Sequence, residues 1–244
     1  MGPGATGLPE RARGPSTKGI LRIAWDYPVY EVREPESGTG TSVARARERL
    51  PREDALRAIA GKDPRPLLVV RECKVCNKTD DALLRPGAQN ERTILLSRWF
   101  HCVKVPVDVL QPDHPFNALF PDTKSEHLFV SASDGSKKVP LESSTSRVEL
   151  WSSMSKTLAE AYAKDPTDAT KDITKVLDKL DLLDERVRGL ERSRDDLLES
   201  GGKLDARKLK KLEGEIDTAR KEVEKSLETI DRLSKYDLKP PSKA

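Results

Sequence analysis

An α/β domain followed by an antiparallel α-helical hairpin is the architecture this chain predicts, and three observations predict it. Between residues 20 and 165, apolar runs of strand length alternate with amphipathic segments of helix length. Beyond residue 166 the apolar residues fall three and four apart over two long stretches, the spacing of a coiled-coil seam. Between those stretches, Ser200-Gly201-Gly202 suits the end of one helix and a reversal of direction.

Taken in order, residues 1–19 are rich in Gly, Pro and Arg and read as a disordered tail. Ile20 to Val32 alternates as one or two strands, interrupted where Pro28 removes a donor. A Gly, Ser and Thr rich loop follows from Glu34 to Val43. The segment Pro51 to Ala60 has Pro at its start and Gly61 at its end, which predicts a short amphipathic helix. Leu67 to Val70 is a buried strand, and Asn77 to Leu84 is compatible with helix until Pro86-Gly87 breaks it. Between Glu91 and Phe100 the spacing of Ile94, Leu95 and Trp99 fits either helix or strand. Cys102 to Val109 alternates as a strand with Pro106 at an edge or an end. Leu128 to Leu141 reads as a hairpin turning at Asp134-Gly135. Ser144-Thr145-Ser146 then offers caps for a helix whose Val148, Leu150, Trp151, Met154, Leu158 and Ala161 share a face, closing the domain near Asp165.

Composition excludes several functions. Charged residues are 35% and aromatics 5% of the chain, so the core is small and the two parts are unlike. Lys plus Arg (44) nearly balances Asp plus Glu (41), a field too weak to predict nucleic acid as a partner. No stretch approaches the roughly 20 apolar residues of a membrane span, and the N-terminus lacks an apolar leader core, so no membrane role and a cytoplasmic location are expected. Three cysteines are too few for a disulfide framework. No Gly-rich phosphate loop is present, and three scattered histidines make no nucleophile or metalloprotease motif, which sets aside phosphoryl transfer and hydrolysis.

The chemistry lies in Arg71-Glu72-Cys73-Lys74-Val75-Cys76-Asn77, directly after the apolar run Pro66 to Val70. A buried strand running into Cys-x-x-Cys, in an order of strand, helix, strand, dithiol, helix, strand, hairpin and helix, resembles the thioredoxin-like superfamily over roughly residues 20 to 165. That resemblance implies a thioredoxin-like domain and a thiol-disulfide oxidoreductase-like protein, with Cys73 as nucleophile, Cys76 as resolving thiol, a disulfide substrate or protein partner, and no cofactor. The chain departs from the family at three places. Glu72 and Lys74-Val75 stand where it usually has Trp and Gly-Pro, Ser125-Glu126-His127 stands where its cis-proline falls, and Pro66 to Val70 holds no carboxylate.

At the first turn of a helix Cys73 would be favoured as thiolate, with Arg71 and Lys74 acting the same way and Glu72 against. Two other readings of the pair stand beside this one. Both cysteines are reduced, buried hydrophobes of a scaffold without turnover, or they bind zinc with His101-Cys102, although neighbours on a strand point to opposite faces. No metal is expected, His114 and His127 read as surface or loop residues, Cys102 as a buried strand residue, and Trp25, Trp99 and Trp151 as core.

Residues 166–238 form the predicted hairpin. One seam is Ile173, Val176, Leu180, Leu183, Val187, Leu190 and Leu197, and the other is Leu209, Leu212, Ile216, Ala219, Val223, Leu227, Ile230 and Leu233. Folded about the glycines, Ile173 meets Ile230, Leu180 meets Val223 and Leu190 meets Leu212, so facing numbers sum to a nearly constant value. Gly189 and Gly214 fall opposite each other, as a site of close approach or as a tolerated flank pair. Without cysteine, the hairpin is a docking or assembly element: a partner-binding arm, half of a four-helix bundle with a second copy, or a cover for the first domain. The cluster Lys203, Arg207, Lys208, Lys210 and Lys211 reads as a solvated face, and residues 239–244 as a tail.

Overall fold

The computed structural model of the chain describes residues 13–29, 48–72, 83–84, 90–121, 126–200 and 205–240. In chain order the elements are α1 (Pro15–Ile20), β1 (Trp25–Asp26), α2 (Arg52–Ala60), β2 (Leu67–Arg71), α3 (Glu91–Ser97) and β3 (His101–Val105). Two 3-10 turns, Val107–Leu110 and Asn117–Leu119, precede β4 (Glu126–Ser131), β5 (Val139–Glu142) and α4 (Arg147–Ala161). A third, Pro166–Asp168, leads into α5 (Ala169–Glu199) and α6 (Ala206–Leu233). The chain divides into two compact units: residues up to Arg22 with Lys171–Lys235, and Ile23–Thr170 with the residues from Tyr236.

The second unit is a mixed α/β structure. Among the described residues its sheet has five strands in the order β1-β3-β2-β4-β5. Strands β1, β3 and β2 run parallel, and β4 and β5 return antiparallel. All five residues of β2 are buried, as expected of a strand paired on both sides and covered on both faces. Alternation sends Leu67, Val69, Val103, Val105 and Phe129 to one face, where they gather with Ala55, Leu56 and Ile59 of α2 and with Phe116, Leu119 and Phe120. The opposite face carries Leu68, Val70, Leu128 and Val130, and α4 packs on β4 and α3 there.

Local chemistry explains most boundaries. Pro106 has no N–H to continue the ladder, so β3 ends at Val105 and a 3-10 turn replaces the end of the expected strand. The Glu91–Phe100 segment resolves as helix over Glu91–Ser97. In the β4–β5 turn, Gly135 has φ 77° and a Cβ there would collide with the Leu56 side chain, so glycine is required on both counts. Ser146 caps α4, its hydroxyl accepting from the Glu149 N–H at 3.2 Å. Val148, expected on the buried face, is 74% exposed. Residues 236–240 return to this unit: Ala163 N–H donates to Asp237 O and Lys239 N–H to Ala161 O, both at 2.9 Å.

The first unit is built on α5 and α6, two long helices packed together. Every predicted seam residue, from Ile173 to Leu197 and from Leu209 to Leu233, is buried or half-buried. Arg220 Nη2 donates to Glu191 Oε1 across the pair at 2.7 Å. Gly189 and Gly214 serve no close approach, because a Cβ at either meets nothing within 4 Å. Residues 13–19, expected in a tail, instead belong to this unit, with 1–12 outside the described residues. Arg13 bonds Asp178 and Asp181 at 2.7 Å, Gly14 N–H donates to Asp181 Oδ1 at 2.8 Å, and Ser16 N–H and hydroxyl donate to Asp184 at 3.0 and 2.7 Å. These carboxylates satisfy donors that begin α1 and would otherwise lack partners. No helix among the described residues is long and apolar enough to cross a membrane.

Candidate functional site

The place that fold geometry marks for chemistry is the carboxyl end of β2 and β3. The chain leaving β2 goes to α3 on one face, and the chain leaving β3 goes to the 3-10 turns beside α2 on the other. In α/β sheets, sites usually form outside the carboxyl ends of the strands where connections diverge to opposite faces. Glu72 N–H donates to Val105 O at 2.9 Å as the last rung. Cys73 and Cys76 follow at once in sequence, and both lie outside the described residues.

Buried charge is concentrated at this end. Arg71, the last residue of β2, is 4% exposed, and its Nε donates to Glu126 O at 2.6 Å. Glu126 opens β4, is itself 4% exposed, and its carboxylate is ion-paired with Lys138. The Lys138 ammonium also donates to Leu119 O at 2.7 Å and lies 4.5 Å above the Phe129 ring. Burial pushes the Lys138 pKa below the ordinary lysine value, and Glu126 opposes that push by favouring the charged form. On the other face of β3, Lys104 is buried with its ammonium 4.8 Å from the Trp25 ring centroid.

This set does not follow from the sequence motif: Pro66 to Val70 holds no carboxylate, whereas a buried acid, Glu126, enters from β4 at the stretch where the resembling family carries its proline. The available signal was an acid and a lysine bounding the apolar hairpin strands, Glu126 and Lys138.

His101 and Cys102 sit elsewhere. The parallel register sets them level with Leu67 and Leu68, at the amino end of β2, about 13 Å and about 10 Å along the strand from Arg71 at about 3.3 Å per residue. Their side chains point to opposite faces, which argues against one ion held by both. Cys102 Sγ donates to Ser97 O at 3.4 Å, and burial pushes its thiol up to about 12, so it stays protonated. His101 Nε2 lies 3.1 Å from Asp26 Oδ2. Of the two histidines expected at the surface or in loops, His114 lies in the loop between the two 3-10 turns but is buried, with its Nδ1 accepting the Phe116 N–H at 3.1 Å, and His127 is half-buried on β4. Of the tryptophans, Trp99 is core, while Trp25 and Trp151 are half-buried. Among the described residues no three His, Cys, Asp or Glu side chains gather as metal ligands. No family model, curated protein or solved structure matches this chain.

Proposed function

We propose that the chain is a thiol-disulfide oxidoreductase-like protein on a thioredoxin-like fold, with Cys73 as nucleophile and Cys76 as resolving thiol. The observation that carries this reading is position in the chain: Cys73 is the second residue after the central strand ends at Arg71, and the carboxyl ends of strands are the usual place of sites in α/β sheets. Further support comes from the strand order, in which a parallel β-α-β core is followed by an antiparallel hairpin and a closing helix. Arg71 and Lys74, close to Cys73 in sequence, favour its thiolate, and Glu72 opposes them.

In the reaction, the Cys73 thiolate attacks one sulfur of a substrate disulfide. A mixed disulfide forms, the substrate S–S bond breaks, and the leaving thiolate takes a proton. Cys76, as thiolate, then attacks the Cys73 sulfur and releases the second substrate thiol. Two electrons pass from the dithiol to the substrate, so no cofactor is needed. The helical unit serves docking or assembly, and a reducing, cytoplasmic compartment belongs to the same proposal.

One observation favours a second reading, a scaffold that binds a protein partner without turnover. The start of β4, where the resembling family carries its proline, holds Glu126 in a buried ion pair with Lys138. Alkylation mass spectrometry of the full chain across a series of redox buffers separates the two. Reversible pairing of Cys73 with Cys76, abolished in Cys73→Ser, is the expected result; cysteines that never pair in any buffer refute the oxidoreductase.

A further inference from the structure

The attachment of residues 13–20 to α5 is made of charge, and one modification reverses its sign. Arg13 Nη1, Gly14 N–H, Ser16 N–H and the Ser16 hydroxyl all donate to carboxylates of α5, namely Asp178, Asp181 and Asp184. Asp181 and Asp184 are buried at 2% and 7% exposure. An anion added to the strap at this point would face three carboxylates, with Arg13 the cation already bonded to two of them.

The sequence around the hydroxyl adds an independent observation. Arg11-Ala12-Arg13-Gly14-Pro15-Ser16 places arginines five and three residues ahead of Ser16, the charge pattern that a protein kinase with an acidic substrate cleft selects. Ser16 is half-buried, whereas its neighbour Thr17 is fully buried with its hydroxyl on Leu177 O at 3.4 Å. A segment of one short helix opens locally far more easily than a core element, which gives the kinase access.

We propose that Ser16 is a phosphorylation site whose modification releases residues 13–20 from α5. Ser16 Oγ attacks the γ-phosphorus of a nucleoside triphosphate held by the kinase. The Oγ–P bond forms as the β–γ bridging P–O bond breaks, the hydroxyl proton passes to the kinase's catalytic carboxylate, and nucleoside diphosphate leaves. The product exchanges a donor for a group of about −1.5 to −2 charges, held against Asp184 at hydrogen-bond range. The field at the start of so short a helix is already taken up by the same carboxylates. This inference is independent of the thiol chemistry.

The test uses the full chain with magnesium ATP and a serine/threonine kinase that prefers arginine-directed sites, followed by mass spectrometry and amide hydrogen exchange. Phosphate at Ser16 is expected, with protection of the Gly14, Ser16, Lys18 and Leu21 amides falling at least tenfold while β2 amides stay unchanged. Ser16→Ala should take no phosphate there yet keep most of the protection, which separates loss of the hydroxyl from gain of charge. Asp184→Asn should restore part of the protection in the phosphorylated chain. No phosphate at Ser16, or a phosphorylated strap that keeps its protection, overturns the proposal.

Discussion

The α/β unit and the helical unit place their charges in opposite ways. In the α/β unit Glu126 and Lys138 form an ion pair with side chains 4% and 12% exposed, beneath a sheet whose central strand is wholly buried. In the helical unit Glu191 and Arg220 meet across the helices with side chains 31% and 57% exposed, and the seam beside them mixes half-buried Leu190 with buried Ala219. Water screens the second pair and leaves it replaceable; in the first, each partner is the other's principal compensation for lost hydration. One unit therefore depends on particular residues, and the other on a repeating pattern.

Removing one buried partner gives the largest expected difference. Glu126→Gln leaves Lys138 without its anion and should cost about 3–5 kcal/mol in urea unfolding, whereas Arg220→Ala should cost less than about 1 kcal/mol. Similar losses from both variants would erase the contrast. Apolar truncation should follow the same order. Leu68→Ala, at a position with no exposure, should cost about 2–5 kcal/mol, and Leu190→Ala on the half-buried seam about 1 kcal/mol. The measurement is the shift of each unit's own transition midpoint at constant slope.

The same contrast governs what could be read from the chain. The helical pair was legible because a period repeated over about seven turns survives any single exception, and its seam positions are all buried or half-buried, although the structure also buries Leu177, Asp181, Asp184 and Ser226 outside the expected seam. Helix α2, strand β2, the β4–β5 turn and the Ser146 cap were legible because each is written in adjacent residues. The Glu126–Lys138 pair was not, since the ladder sets Glu126 opposite Glu142 and Val139 opposite Val130, so the two residues stand at different ends of the hairpin and only their side chains meet. Nor was the docking of residues 13–20, because the carboxylates that hold them stand more than 160 residues away on α5. Local composition there resembles a tail, and only tertiary partners make it a helix. The mixed α/β class was within reach of the sequence; the dithiol lies outside the described residues and keeps the status of a proposal.

Glycines sharpen the comparison at intermediate size. Gly135→Ala must place a side chain at φ 77° against Leu56 and should destabilise the α/β unit by about 1–3 kcal/mol. Gly189→Ala and Gly214→Ala meet open space inside helices and should each stabilise the helical unit by about 0.5–1 kcal/mol. Thermal unfolding of the three variants checks both signs, and destabilisation by either helical substitution would restore the close-approach reading of that pair.

The smallest effect lies where the helical unit breaks its own rule and buries a charge. Burial by itself would raise the Asp181 carboxyl, but the Arg13 guanidinium, the Gly14 N–H and the Thr17 hydroxyl together hold it below the ordinary aspartate value. A carboxyl with a depressed folded pKa binds fewer protons in the folded state, so its contribution is complete above the unfolded value of about 3.9 and is lost as pH falls through the folded one. Protection of the Gly14 and Ser16 amides should accordingly be level from neutral pH to about pH 5 and decline only below about pH 4. Asp181→Asn should weaken the strap at neutral pH by less than about 2 kcal/mol, the scale of a helix cap, and should flatten the acid decline. An unchanged acid decline in that variant would refute Asp181 as its source, and the strap would then be held by the cluster as a whole rather than by its most buried member.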